Sequence, residues 1–390
     1  MTTAIPDSRH SFFSRRWHES YSLNPLTREL QSQGKDVLDL TETNPTKVGL
    51  FAGATIPGEV NPVDETYDPD PRGIPTAREA VAAYYRERGE TVSAANVLVT
   101  SSTSEAYAFL FKLLCDPGDD VLIPNPGYPL FADLARMENA SVRYYPIVWD
   151  PAGRWRIDLD ALMRETGAST RAVLVINPHN PTGMLLEPDE QEKLIAHCAS
   201  SRTALIADEV FIDYPYRKDP ATSLAAADRC LTFTLNGLSK LLGLPQVKLS
   251  WICVSGPGQS QALEHLGFLG DLYLNVNSAV QHRLPYLLAG RSNRQQEIRR
   301  RIAANRATLE EAGDLAVAPL GGGWSQVLFL PESTDDENFA LSLLRNQHVL
   351  VHPGYLFGLE PLQCLVLSLI VHETIFTEGV QRLAHELSRW

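Results

Sequence analysis

The chain has little of what marks secreted, membrane-bound or nucleic-acid-binding proteins. Its five cysteines in 390 residues are odd in number and lack metal-like spacing, so we expect free thiols in a reducing compartment. No apolar run approaches the roughly 20 residues that a membrane helix needs, and no signal peptide is evident at the N-terminus. The formal net charge of −13 argues against a nucleic-acid surface, which needs a basic face. The sequence therefore predicts a soluble cytoplasmic protein with no membrane or nucleic-acid partner and no metal site.

The middle of the chain alternates between short apolar runs and helical patterns. Such alternation predicts a mainly parallel sheet that is covered by helices on both faces, the three-layer α/β/α class. The predicted strands here are residues 97–100, 121–124, 142–147, 172–177, 204–207, 231–234 and 249–254. Helices are predicted at residues 103–115 and 188–200.

At 390 residues the chain is too long for one compact core, so two domains are expected. We predict an N-terminal segment (1–40) packing with a small domain, a large domain (41–290), and a smaller α+β domain (291–390). Long helices are predicted at 256–288 and 297–312. In the small domain, strands are predicted at 324–330, 349–352 and 365–370, and helices at 335–347 and 373–388.

One lysine follows a distinctive series of segments. Lys240 stands in Asn236-Gly-Leu-Ser-Lys240, after Asn177-Pro-His-Asn180-Pro-Thr-Gly183 and after Asp208, which ends an apolar run. A lysine alone is most often a solvated surface charge, but this order and spacing resembles the class I/II aminotransferases. Those are fold-type I enzymes that use pyridoxal 5′-phosphate (PLP). The resemblance implies that Lys240 forms a Schiff base with the cofactor and moves the substrate Cα proton.

The same resemblance implies further cofactor contacts. Asp208 would keep the pyridine nitrogen protonated, and Asn180 would bind the phenolic oxygen. Ser102 and Glu105 fit a capping box, so the free amides that follow would face a phosphate. A tyrosine, Tyr67, would reach the phosphate of a neighbouring subunit, which implies a homodimer with a shared active site. The implied cofactor contacts are Tyr67, Ser102, Thr103, Ser104, Tyr128, Asn180, Asp208, Phe211 and Lys248.

Four positions depart from the family pattern. Phe211 replaces a tyrosine that supports the phenolic oxygen, Gly237 replaces a serine and Lys248 an arginine at the phosphate, which implies weaker phosphate binding. Val366 stands where an arginine usually holds the substrate α-carboxylate. Either another cation takes that role or the substrate is not a standard α-amino acid. Candidate substrate contacts are Arg72 and Asn44, with Arg15 and Arg16 as weaker alternatives to Arg72.

These observations predict a PLP-dependent aminotransferase that moves an amino group from an amino acid or amine to a keto acid. Because of Val366 and Phe211, a PLP enzyme with another outcome (β-lyase, decarboxylase or oxidase) is the alternative. A third possibility is a PLP-binding regulator without catalysis, but the chain has no basic segment for a DNA-binding domain.

Overall fold

The computed structural model describes residues 24–33, 37–50, 69–217, 220–274, 276–313 and 315–390. The helices in this part are α1 (Pro25–Ser32), α2 (Pro75–Glu87), α3 (Thr103–Leu114), α4 (Leu130–Met137), α5 (Leu159–Glu165), α6 (Pro188–Ser201), α7 (Leu238–Leu241), α8 (Gln259–Leu272), α9 (Ser278–Ala289), α10 (Arg291–Glu311), α11 (Asp336–Gln347) and α12 (Glu373–Leu387). The strands are β1 (Leu38–Asp39), β2 (Val97–Thr100), β3 (Asp120–Asn125), β4 (Ser141–Trp149), β5 (Trp155–Ile157), β6 (Thr170–Ile176), β7 (Ala204–Asp208), β8 (Thr232–Gly237), β9 (Ser250–Ser255), β10 (Ala316–Val317), β11 (Ser325–Phe329), β12 (Val349–Leu350), β13 (His352–Pro353) and β14 (Cys364–Ser368). None of the helices in these ranges is both long and apolar enough to span a bilayer.

An eight-stranded sheet forms the centre of the larger part of the molecule, in the order β2-β9-β8-β7-β6-β3-β4-β5. Strands β8, β7, β6, β3 and β4 are mutually parallel, whereas β9 is antiparallel to both of its neighbours. The predicted α/β class with a mainly parallel sheet is confirmed.

Helices cover both faces of this sheet because side chains alternate between faces along each strand. On one face, Ile206 and Phe233 pack in a cluster with apolar residues of α3, α4 and α8. On the other face, Trp251 packs with residues of α2 and α9, and Leu205 packs with residues of α5 and α6. The sheet is therefore buried on both sides, and its strand ends are the places where polar chemistry can reach solvent.

A second sheet, in the order β10-β11-β14-β13, packs with α10, α11 and α12 around its own apolar cluster. The described end of the N-terminal segment contacts this part, since β1 pairs with β12 and Leu26 of α1 belongs to the same cluster. The predicted domain limits at 40 and 290 stay predictions.

Two predicted elements are wrong. The strand expected at 349–352 is two short strands, β12 and β13, which pair with β1 and β14 respectively. The expected single helix over residues 256–288 is two helices, α8 and α9. Leu274 adopts a left-handed backbone conformation (φ 61°), which cannot continue an α-helix. Asn277 then starts α9, its side chain accepting a hydrogen bond from the Val280 amide. The next helix, α10, begins at Arg291, six residues earlier than the predicted start at 297.

Candidate active site

A cavity of about 370 Å³ opens where β6, β7 and β8 end and where β11 and β14 approach them. Seven of the residues predicted from the sequence line it. They are Thr103, Ser104, Tyr128, Asn180, Asp208, Phe211 and Lys240. They come from segments spread over nearly 140 residues, and the parallel strands bring them together because their carboxyl ends lie at one edge of the sheet.

Lys240 lies on the short helix α7, directly after β8, and its side chain enters the cavity. Its Nζ is 5.3 Å from the ring centroid of Trp324 and 5.8 Å from that of Phe211. Burial lowers the pKa of the Lys240 ammonium below its ordinary range, and the carboxylates of Asp208 and Glu42 partly oppose this. A lysine in this environment holds more of its amine in the neutral, nucleophilic form.

Asp208 is the last residue of β7 and is only 6% exposed. The Tyr107 hydroxyl donates a hydrogen bond of 2.7 Å to its Oδ2, and the Val210 amide donates one of 3.1 Å to Oδ1. Burial raises the pKa of the Asp208 carboxyl, while these hydrogen bonds and the charge of Lys240 favour the carboxylate. The result is an acidic group aimed at the cavity with its orientation fixed by two donors.

Tyr107 has no counterpart among the residues predicted for the site. Its position in the apolar pattern of α3 is typical of a core tyrosine, and most of its ring is packed in the core. Only the fold shows that its hydroxyl ends beside Asp208.

Asn180 follows β6 in a turn that glycine completes. The Ser325 hydroxyl donates a hydrogen bond of 3.0 Å to Asn180 Oδ1, which orients the amide. Gly183 has a positive φ of 67°, and a Cβ there would lie 1.9 Å from Leu320 Cδ1. The turn therefore requires glycine for both conformation and space. Ser325 is a second site residue that sequence reasoning missed, because it belongs to a distant strand, β11.

Aromatic rings form two walls of the cavity. Tyr128 is 43% exposed and packs edge-on against Phe131, with ring centroids 5.6 Å apart. Phe211 is buried and packs edge-on against Trp324 at 5.5 Å. Phe211 provides no hydroxyl, so this wall offers apolar surface rather than a hydrogen-bond donor.

The N-terminus of α3 forms another edge of the cavity. Ser102 Oγ accepts a hydrogen bond of 3.1 Å from the Glu105 amide, and Glu105 accepts one of 2.6 Å from the Ser101 amide. Ser102 therefore caps the helix as predicted, but the second half of the predicted capping box is wrong, because the Glu105 carboxylate binds the amide of Ser101 and not that of Ser102. The Ser102 hydroxyl is hydrogen-bonded to the first turn of α3, and Ser102 does not line the cavity. Thr103 and Ser104 do line it. An anion in the cavity would meet the positive end of the helix dipole here.

Three of the remaining candidates lie in the described residues but do not line this cavity: Lys248, Asn44 and Arg72. Lys248 is exposed, and Asn44 accepts hydrogen bonds of 3.0 and 2.7 Å from the amide and hydroxyl of Thr46. Arg72 donates from Nη1 to the Ala95 carbonyl at 3.0 Å. Thr41 and Thr43, near Asn44, line the cavity instead. Tyr67, Arg15 and Arg16 lie outside the described residues. The roles of all of these stay predictions.

The wall at Val366 is neutral. Val366 is 3% exposed and faces Val327 and His352 on the neighbouring strands. Burial lowers the pKa of the His352 imidazole, which favours its uncharged form. Near it, the buried Ser368 Oγ and Trp324 Nε1 have no hydrogen-bond partner in the described part of the chain. Among the described lining residues, Lys240 is the one lysine, and there is no arginine.

Comparisons with known proteins point to one family. The family model "Aminotransferase class I and II" matches residues 65–371. The chain is 26% identical to the glutamate-pyruvate aminotransferase AlaA of Haemophilus influenzae, over 95% of this chain and 96% of that protein. It is 28% identical to the alanine aminotransferase of Mycobacterium tuberculosis, over 83% of this chain and 79% of that one. The solved alanine aminotransferase of Pyrococcus furiosus shares the fold, with a TM-score of 0.81 at 23% identity over 93% of this chain and 95% of that chain.

Proposed function

The chain belongs to the class I and II aminotransferase family, and we propose that it moves an amino group from an amino acid or amine to a keto acid with PLP bound on Lys240. The observation that carries this proposal is one cavity that holds both the Lys240 amine and the carboxylate of Asp208. Burial lowers the pKa of the Lys240 ammonium, which favours the neutral amine. The family uses PLP, and its transamination chemistry supports this reaction over the lyase, decarboxylase and oxidase alternatives.

The residues of the cavity fit this cofactor. Asp208, held by Tyr107, would pair with the pyridine nitrogen, and Tyr128 would lie against the ring. Asn180 would bind the phenolic oxygen, and the start of α3 at Thr103 would receive the phosphate. When bound, PLP supplies an aldehyde carbon and a ring that withdraws electrons.

The chain itself contributes the nucleophile, the group that carries the proton, and the apolar side chains that keep water from the amine. The Lys240 amine would hold the cofactor through its aldehyde carbon, with loss of water. Once freed by a substrate amine, it would be the base that accepts the substrate Cα proton and the acid that delivers it to the former aldehyde carbon. Phe211 and Trp324 lie beside the Lys240 amine and exclude water from it. Asp208 would keep a proton at the pyridine nitrogen, because a carboxylate beside that atom favours its charged form.

The substrate class follows from the Val366 wall. With no guanidinium among the described lining residues, a substrate carboxylate would meet neutral donors, Ser368 Oγ and Trp324 Nε1. Glutamate with pyruvate, and alanine with a keto acid, are the first pairs to test because relatives carry those names. Amines without a carboxylate form the comparison group.

A homodimer and a cytoplasmic location are part of the proposal. The Tyr67 motif supports a shared site, and the five free cysteines agree with a reducing compartment. Sedimentation of the purified protein checks the dimer. A mixed dimer of K240A and Y67F chains should recover about a quarter to a half of the activity of wild type only if each site uses Tyr67 from its partner.

Single-turnover absorbance tests the reaction. Substrate amine alone should convert the PLP-loaded protein fully to the pyridoxamine form, and a keto acid should then restore the original spectrum. A return to the original spectrum without added keto acid would contradict aminotransfer and favour a lyase.

A further inference from the structure

Ser250 and Gly237 face each other on neighbouring strands at the edge of the cavity. Gly237 ends β8 and pairs with Ser250, which begins β9, and Ser250 pairs on its other side with Thr100, the end of β2. The three residues form one row across the sheet. One end of the row leads into the N-terminus of α3, and the other leads to Lys240 three residues later.

The Ser250 side chain occupies the space that a side chain at position 237 would need. A Cβ on Gly237 would lie 2.1 Å from Ser250 Oγ and 2.8 Å from Ser250 Cβ. Gly237 has an extended backbone (φ −179°), which any residue adopts, so space rather than conformation requires glycine here. The space between positions 237 and 250 therefore has room for only one side chain, either at 237 or at 250.

The Ser250 hydroxyl is placed to bind a ligand. Ser250 is 2% exposed and lines the cavity, as do Thr103 and Ser104 at the start of α3. Within the described ranges its hydroxyl makes no hydrogen bond, whereas the neighbouring Thr100 hydroxyl donates to the Ser102 carbonyl. The hydroxyl therefore faces the cavity, where a bound ligand can supply the partner that the protein does not. Beside a helix N-terminus, that ligand is an anion.

We propose that the Ser250 hydroxyl donates a hydrogen bond to the phosphate of PLP, so that it takes over from the facing strand the role of the serine that Gly237 lacks. This rests on the proposed function and departs from the weaker phosphate binding that the sequence predicts. On this proposal the glycine at 237 does not remove a phosphate donor from the site, because β9 carries the donor.

Cofactor affinity measured with and without the phosphate tests this. Ser250→Ala should bind PLP about 10- to 100-fold more weakly, the range expected for a hydrogen bond to a charged group. Its affinity for pyridoxal, which lacks the phosphate, should be unchanged. Dissociation constants come from fluorescence titration of the apo-protein.

Ser255→Ala, on the same strand but outside the cavity lining, is the matched control and should bind both compounds as wild type does. Unchanged PLP affinity in Ser250→Ala, or an equal loss for PLP and pyridoxal, would overturn the proposal.

An exchange of the two residues tests the shared space. Gly237→Ser alone should crowd Ser250 and weaken PLP binding, and the double variant Gly237→Ser with Ser250→Gly should recover most of the wild-type affinity. A double variant as weak as Ser250→Ala would contradict the exchange, whether or not Gly237→Ser folds.

Borohydride labelling of Ser250→Ala at saturating PLP separates this proposal from the proposed function. A label on Lys240 together with unchanged PLP affinity would reject Ser250 as a ligand and leave the cofactor site standing. Absence of label in wild type and variant alike would reject both.

Discussion

The Tyr107 hydroxyl donates a 2.7 Å hydrogen bond to Asp208 Oδ2, and both residues are buried at the wall of the cavity. This bond favours the ionised form of Asp208 against the burial that raises the pKa of its carboxyl. The bond connects α3, on one face of the sheet, to the last residue of β7.

Tyr107→Phe should therefore slow the reaction while leaving the fold intact. Loss of this bond raises the pKa of Asp208 further, so less carboxylate is present at neutral pH. We expect kcat to fall about tenfold, equivalent to roughly 1.4 kcal/mol. Steady-state kinetics measure this. An equal kcat in wild type and Tyr107→Phe, with both proteins fully loaded with PLP, would contradict the role given to the bond.

The lowered pKa of Lys240 predicts how cofactor binding depends on pH. The neutral amine is the reactive form, so the rate of PLP attachment to the apo-protein should rise with pH and level off below the ~10.4 of an ordinary lysine. Asp208 opposes the shift, so Asp208→Asn should move the midpoint to still lower pH. Stopped-flow absorbance gives the rates, with Nα-acetyl-lysine as the reference amine. A midpoint at or above that of the reference would show that burial does not lower this pKa.

A buried ion pair beneath the site predicts a stability effect. Arg88 pairs with Asp213, which also accepts hydrogen bonds from Tyr84 at 2.9 Å and Gln295 at 3.1 Å. Asp213→Asn removes this carboxylate and leaves Arg88 with Glu90, 3.5 Å away, as its remaining ion-pair partner, so the loss should be about 3 kcal/mol of unfolding free energy, the lower end for a broken buried pair. Urea denaturation measures this.

The matched control for that variant is Asp189→Asn. Asp189 pairs with Lys193 at 3.8 Å on the surface, both side chains being well exposed, so its loss should cost less than about 1 kcal/mol. Equal effects of the two substitutions would mean that the Arg88–Asp213 pair adds nothing beyond a surface pair.

The neutral wall at Val366 predicts weak discrimination between amino acids and amines. An arginine–carboxylate pair contributes several times more than a neutral hydrogen bond. Without it, kcat/KM for an amino acid and for the matching amine should differ by no more than about tenfold. Initial rates with alanine and ethylamine measure this. A preference of a thousandfold for alanine would require a cation, and Arg72→Ala would then identify or dismiss Arg72 as its source.

Much of the fold was predictable from the sequence because its strands are short, apolar and bounded by turn residues. The order of Asn180, Asp208 and Lys240 along the chain also predicted three residues of one cavity, since parallel strands end at one edge. The helix break near Leu274 was missed because a left-handed leucine gives no sequence signal, although the N-cap residue Asn277 is a typical one for a helix start.

The residues that the sequence could not supply act through tertiary neighbours. Tyr107 and Trp324 occupy apolar patterns in the sequence. The role of the Tyr107 hydroxyl and the Trp324 Nε1 in the site depends on which residues the fold places beside them. Ser250 is the plainest case. Its pairing with Gly237 depends on strand register across β8 and β9, and register cannot be read from either segment alone.

The central claim is the covalent attachment of the cofactor to Lys240, and borohydride reduction of the PLP-loaded protein tests it most directly. Peptide mass spectrometry should find a pyridoxyl group on Lys240 in the wild-type protein and none in Lys240→Ala. A label on another lysine, or a protein that stays colourless and unlabelled at saturating PLP, would contradict the account.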